Sequence, residues 1–456
     1  MTSGTPIKGK RALVLGGGIT GLATAAAVSE HFESVILLER GHYESRPTVR
    51  AQVAQGAHAH ILLASGLLAL QQLVPELPGW LDELGIAECD LTHDIRLCFD
   101  GQWLPRKTSG IPFRPCSRPV VEHLLLRAVK ERTNIEVRSG WSGRGLVGDE
   151  RVGGERVDGI EARDPEGRVE RLDADLTILA MGRGGQAVDW VETLTGESVP
   201  VEVVDPGLTY TSCTFEPGPG LDDAWNLAVD VSRFPEQSST AVIVKSAPNE
   251  WLASWAEYGR VSPPKTIEEF RACFASVSSG FLAEQLRSCR PTSALHSFPN
   301  TANRRRRFGA LKRWPEGLVV VGDSVCSLNP RYGQGMTVGL LGVQLLLETL
   351  ESHWSRHERL DGFAGPFTRA MDKRVTVPWG VALMEDKLWA AKFEKRRLGL
   401  MARATMHGTR RALQTALSDM DTYMRFMRVS HLLESPLHMA TPATVAKMVF
   451  PSLRRL

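Results

Sequence analysis

The stretch from Arg11 to Glu39 constrains this chain more than any other. RALVL, GGGITG, LATAAAVSEHF and SVILLE follow one another in close order. A five-residue apolar run reads as a buried strand, the alanine-rich segment as a helix, and the β-branched run as a second strand. Strand, glycine turn, helix and strand make a βαβ unit, which places the chain among α/β folds with a parallel sheet. Gly16, Gly18 and Gly21 fill a GxGxxG pattern, with Ile19 and Thr20 at the opening of the helix. Glu39 ends the second strand 18 residues after Gly21. This context predicts a dinucleotide: glycines let the backbone approach a pyrophosphate, the helix N-terminus faces it, and the carboxylate accepts a ribose hydroxyl. A carboxylate there disfavours a 2′-phosphate, so FAD or NAD fits better than NADP.

A second glycine-rich loop lies some 300 residues later. Leu318–Val321 reads as a buried strand and runs into GDSVCSLNPRYGQGM, residues 322–336. Asp323 sits just past the strand end. Pro330, Gly333 and Gly335 precede a helix that Met336 begins, so a second uncapped helix N-terminus is expected.

The segments between and after these loops are less informative. Residues 61–77, 116–132 and 267–287 have helical periodicity. Residues 210–256 read as antiparallel strands and carry Trp225, Trp251 and Trp255. These rings suit either a wall for a large hydrophobic ligand or plain core. The run NRRRRFGALKRW, from Asn303, invites a nucleic-acid reading, but a solvated hairpin is expected, and a net charge of +2 gives no support for such a partner. From residue 353 onward the chain is helical by composition. Its Arg clusters and apolar spacing allow a membrane-touching face, with packing against the dinucleotide domain preferred. No apolar stretch reaches membrane-span length, and the glycine-terminated N-terminal run is not a cleavable signal. Seven scattered cysteines without a CxxC predict neither disulfides nor a metal site, and suggest a reducing, cytoplasmic setting.

The paired motifs GGGITG…LLER and GDSVCSLNPRYGQGM resemble flavoprotein monooxygenases of the para-hydroxybenzoate hydroxylase fold. VRAQVAQGAHAHILLASG, CSRPVVEHLLLRAV, LAMGRGGQAVDWVETL and NRRRRFGALKRWPEGLVVVGDSV are further similar to bacterial flavin epoxidases acting on polyene precursors of polyethers, and more distantly to squalene epoxidases. The resemblance implies an α/β fold. A Rossmann-like FAD domain of the GR2 type would combine with an antiparallel-sheet substrate domain and a C-terminal helical region. It divides the chain into FAD-domain segments (1–80, 116–190 and 301–352), substrate-domain segments (81–115 and 191–300) and the helical region (353–456). Carried onto this sequence, it implies Glu39 on the adenosine ribose and Arg40 beside the adenine. Arg50 and Arg118 approach the pyrophosphate and ribityl chain, and Gly182 the adenosine side. Asp323 binds the FAD backbone, while Pro330, Gly333, Gly335 and Met336 lie under the flavin ring.

The implied reaction inserts one oxygen atom from O2 through a flavin C4a-hydroperoxide, most simply as alkene epoxidation of a hydrophobic metabolite. Aromatic hydroxylation is one alternative, and a flavin oxidoreductase without oxygen insertion is another. A flavin-binding protein without turnover is a third. Halogenases share the fold, but no WxWxIP occurs. NAD(P)H would supply electrons, directly or through a separate flavin reductase. The second route is suggested because AMGRGG (residues 180–185) stands where phenol hydroxylases carry a DG motif. RAQVAQ replaces RxGVPQ, which suggests a differently shaped loop beside Arg50. Cys326 stands in a common histidine position and is expected to be inert. His58, His60 and Tyr332 are the candidates for a direct catalytic role, the histidines with a structural reading beside it.

Overall fold

The computed structural model describes residues 8–50, 53–148, 155–221, 224–231, 233–298 and 301–450. Ala51 and Gln52 of the RAQVAQ segment lie outside them. The expected βαβ unit is β1 (Gly9–Leu15), α1 (Ile19–Val28) and β2 (Phe32–Glu39). Next come α2 (Ala64–Leu73), β3 (Ile95–Phe99), α3 (Arg118–Glu131), β4 (Ile135–Ser139) and β5 (Leu176–Leu179). Four long-range antiparallel partners follow: β6 (Thr209–Glu216), β7 (Leu227–Asp230), β8 (Ser239–Ala247) and β9 (Glu250–Glu257). After them lie α4 (Ile267–Ala275), α5 (Phe281–Arg287), β10 (Asn303–Arg306), β11 (Leu318–Val320) and α6 (Gln334–Trp354). The last helices are α7 (Ala364–Arg374), α8 (Thr376–Phe393), α9 (Leu400–Ala416) and α10 (Met420–Ser430). Residues 267–287, expected as one helix, are two, because Gly280 adopts a positive φ of 65° between them.

A five-stranded parallel sheet has the order β11-β5-β1-β2-β4. β1, β2, β5 and β11 carry apolar runs because both faces are covered there, while the edge strand β4, IEVRS, is only partly buried. Helix α1 packs against α3 and α6, and its alanines permit that close approach. Gly21 is required there: a Cβ would lie 1.7 Å from the carbonyl oxygen of Gly16.

The second sheet places β6, β9, β8, β7 and β3 side by side, with β3 parallel to β7 and the other pairs antiparallel. Its two faces follow the period of two. Ala241, Ile243, Trp251, Ala253 and Trp255 form a core with Phe270, Phe274 and Leu282 of α4 and α5. Leu227, Val242, Val244 and Leu252 point the other way. All three tryptophans are therefore core on the face away from the chamber described below, and the ligand-wall reading does not hold.

Two further expectations change. The NRRRR run is no solvated hairpin. Its first four residues are β10, paired with Val201–Val204 and Cys326–Ser327, and Arg305 and Arg306 are only 5% and 2% exposed. The C-terminal helices divide their packing. α7 lies on the parallel-sheet domain, against α6 and β11. α9 and α10 instead cover the second sheet, where Ala416, Tyr423 and Met427 pack with Leu227, Val244 and Leu252. No helix among the described residues is long and apolar enough to cross a membrane.

Candidate active site

The N-termini of α1 and α6 open on one cavity of about 90 Å³. α1 begins after Gly18 and α6 after Gly333, and neither start has a side-chain cap. Their first N–H groups are left for a ligand, and both positive dipole ends favour an anion. Gly18, Ile19 and Thr20 form one wall, and Pro330, Gly333, Gly335 and Met336 another. Gly18 has an ordinary φ of −79°, and a Cβ there would meet nothing within 4 Å. The protein itself does not need that glycine, so the space above it is free for a ligand.

The charges around this cavity do not balance. Asp323 faces it, and burial pushes its carboxyl up while Arg183, Arg118 and Arg306 pull it down. Arg118 is half-buried and makes one long contact, 3.4 Å to Gln55, while its Nε has no partner among the described residues. Burial lowers its pKa. Arg306 donates to four carbonyls: Asp323 (2.9 Å), Ser324 (3.3 Å), Arg183 (2.6 Å) and Gly184 (2.9 Å). Arg183 donates to the carbonyls of Leu328 and Ala302. Of these three guanidiniums only Arg118 lines the cavity, with nitrogen donors left over for an anion, while Arg183 and Arg306 stand behind the wall and tie its loops together.

Of the residues singled out from sequence, Gly18, Ile19, Thr20, Arg118, Gly182 and Asp323 line this cavity with Pro330, Gly333, Gly335, Met336 and His60. Gly16 and Gly21 lie beneath it as backbone contacts. Glu39, Arg40 and Arg50 are not brought to it. The Glu39 carboxylate accepts the N–H groups of Gly17 (2.7 Å) and Gly41 (2.8 Å) and pairs with Arg50 at 3.2 Å. Arg50 also bonds Glu122 at 2.5 Å and stacks on Tyr43. Arg40 is exposed. His58 bonds Ser212 at 2.8 Å, and His60 bonds the His58 carbonyl at 2.8 Å. Burial pulls the two imidazoles down to about 4 and about 3, so both are neutral at neutral pH. Tyr332 does not line this cavity but the apolar chamber described below, with its hydroxyl 3.4 Å from Glu385. Cys326 is buried and its thiol is pushed up to about 12, which leaves it no thiolate at neutral pH. Sequence reasoning missed Arg183, Arg306, Gln55 and Asn329. For Arg306 the available signal is the string of arginines before a strand, which composition alone places at the surface.

The cavity continues into an apolar chamber. Pro330 and Gly333 also bound a neck of about 40 Å³, together with Tyr210, Ser254 and Arg331. Ile61, Val229, Thr240 and Arg331 then bound both the neck and a chamber of about 330 Å³. Leu97, Leu227 and Val229 of the second sheet form its floor, and Met406, Leu413 and Phe426 of α9 and α10 its roof. Glu385 is the one carboxylate among the described residues lining neck and chamber. It is held by Arg331 at 2.7 Å and by the indole N–H of Trp389 at 3.0 Å.

A parallel dinucleotide-type sheet joined to an antiparallel sheet, with a cleft between them and helices behind, is the fold of FAD-dependent monooxygenases and halogenases. The myxobacterial chondrochloren halogenase CndH superposes with a TM-score of 0.62 at 14% identity, covering 94% of this chain and 97% of that one. The p-nitrophenol 4-monooxygenase PnpA from Pseudomonas putida DLL-E4 gives 0.61 at 16% identity, covering 93% and 98%. No family model matches the chain. In sequence, the chain is 29% identical to protein Rv3254 of Mycobacterium tuberculosis over 397 residues, which are 82% of this chain and 80% of that protein.

Proposed function

We propose that this protein is an FAD-dependent monooxygenase that transfers one oxygen atom from O2 to a hydrophobic molecule, as an alkene epoxidase. The observation that carries this reading is the continuity of an anion-accepting, two-helix cavity with an apolar chamber through shared wall residues. The α1 N-terminus and Arg118 hold the diphosphate, and the Asp323 carboxylate accepts from the ribityl hydroxyls. The α6 N-terminus, at Gly333–Met336, stabilises negative charge on the N1–C2=O edge of the reduced ring. When bound and reduced, FAD supplies an electrophilic oxygen derived from O2. The protein's part is to bind, orient and exclude water, and the aliphatic chamber walls do so. Electrons come from NAD(P)H, directly or through a flavin reductase.

Epoxidation is favoured over phenol hydroxylation by the absence of an available base among the described lining residues. Glu385 is committed to Arg331 and Trp389. His58 and His60 are too weakly basic to take a phenol proton near neutral pH. The test is incubation of the FAD-loaded protein with a reductase, NAD(P)H, 18O2 and a lipophilic alkene. One 18O per epoxide is expected. Unlabelled product points to hydride transfer, label only in arene substrates points to hydroxylation, and a protein that takes up no FAD sinks the reading.

A further inference from the structure

His431 follows α10, and its ring borders the chamber. The residue is 7% exposed. Its Nδ1 lies 3.2 Å from the backbone nitrogen of Ala64, at the start of α2. A backbone N–H can only donate, so Nδ1 is the acceptor. Burial pulls the imidazole down to about 4, so at neutral pH the ring carries a single proton. That proton is therefore on Nε2. The His431 carbonyl also accepts from Ser65 at 3.3 Å. Two bonds to the start of α2 fix the residue, with the Nδ1 edge turned to the helix and the Nε2–H edge left for the chamber. No described residue accepts from Nε2.

The charged groups around the chamber are tied to one another. Arg331 pairs with Glu385, Arg410 lies 3.5 Å from Glu236, and Arg233 pairs with Asp100. Against them, His431 offers a neutral, rigid donor in a wall that is otherwise mostly apolar, where the other neutral polar groups are the hydroxyls of Thr240, Tyr332, Thr409 and Ser430 and the amide of Gln334. Capping α2 alone needs only an acceptor, which any Asn or Ser could supply. A donor fixed in an apolar site favours a ligand that brings an acceptor and penalises one that leaves the donor unpaired.

We propose that His431 is a specificity-determining residue whose Nε2–H donates to an acceptor oxygen (carbonyl, ether or hydroxyl) on an otherwise apolar substrate. The proposal rests on the chamber being the substrate site. Its test is binding rather than turnover, so it can fail separately from the oxygenase reading. The FAD-loaded full chain is titrated calorimetrically with 2-acetylnaphthalene and with 2-ethylnaphthalene, which lacks the carbonyl. The ketone is expected to bind roughly tenfold more tightly, the scale of one buried hydrogen bond. His431→Asn keeps an acceptor near the Nδ1 position and loses the Nε2 donor, so the preference falls to about one. His431→Gln keeps a donor near Nε2 and retains it. A preference unchanged in His431→Asn overturns the proposal, as does failure of both probes to bind the wild type, whatever the flavin assay shows. A measurement on the wild type guards against a variant that fails to fold. The isotope-edited carbonyl stretch of bound 2-acetylnaphthalene is expected below its value in hydrocarbon solvent, and an unshifted stretch also overturns the proposal.

Discussion

Gly18 and Gly21, three residues apart in the same turn, have different jobs, and substitution separates them. Gly21 touches backbone, and its Cβ would collide with the Gly16 carbonyl. Gly21→Ala is therefore expected to lose the fold, read as loss of soluble protein or of a cooperative melt. Gly18 has open space and an ordinary backbone angle. Gly18→Ala should leave apoprotein stability within about 1 kcal/mol while FAD affinity, read by flavin fluorescence, falls at least tenfold. Equal FAD affinity in Gly18→Ala and wild type would remove the ligand from that space. Arg306 makes a different prediction. Its loss strands four carbonyls in two loops that both reach the cavity. Arg306→Met is expected to cost about 3 kcal/mol in urea unfolding and to release FAD on gel filtration. The fingerprint glycines were legible because their spacing lies within one short stretch between a strand and a helix. Arg306 was not, because a run of arginines looks solvated until the carbonyls around it are known.

At the level of elements, α8 joins the parts that bound the cavity. Its Asp386 is buried and accepts from the Tyr258 hydroxyl (2.7 Å), just past β9, from Asn303 (2.5 Å) of β10, and from Asn329 (2.6 Å), next to Pro330. Arg331 and Glu385 also act on it. Burial outweighs these partners and raises its carboxyl from 3.8 to about 6. A folded-state value above the unfolded one means that the protonated group stabilises the fold. That stabilisation is fully present below pH 3.8 and is lost as pH rises through about 6. Compared with Asp386→Ala, the wild type should lose roughly 2 kcal/mol between pH 4 and pH 7. Urea unfolding of both proteins across that range checks it, and parallel curves would contradict it. The second sheet teaches a related lesson. Its period of two was visible in the sequence, but alternation does not say which face meets a helix pair and which meets a chamber. Alternation alone therefore leaves the tryptophans on either face, and the packing of α4 and α5 makes them core.

For the whole molecule, the chamber is made by segments far apart in the chain: a floor from residues 95–99 and 227–231, and a roof from residues 406–427. The roof can be filled without touching the walls of the two-helix cavity. Leu413→Trp is expected to weaken binding of 2-ethylnaphthalene at least tenfold by occluding the chamber, with FAD content unchanged. Loss of FAD together with the probe would show that the roof supports the cavity as well.

The sequence alone determined the elements whose requirements are local. A strand, a glycine turn and a helix in that order force a βαβ unit, and a strand running into GD and PRYGQG forces a second helix start. Both loops and most of the residues that line the cavity were therefore readable. Tertiary structure decided what depends on contacts between distant segments. It buried the arginine run against loop carbonyls, turned the tryptophans away from the chamber, closed Arg50 and Tyr43 around Glu39, and laid α9 and α10 over the second sheet. The physical reason is the same in each case. Charge, aromaticity and helical spacing say what a residue can do, but burial and hydrogen-bond partners are properties of the neighbours that folding supplies.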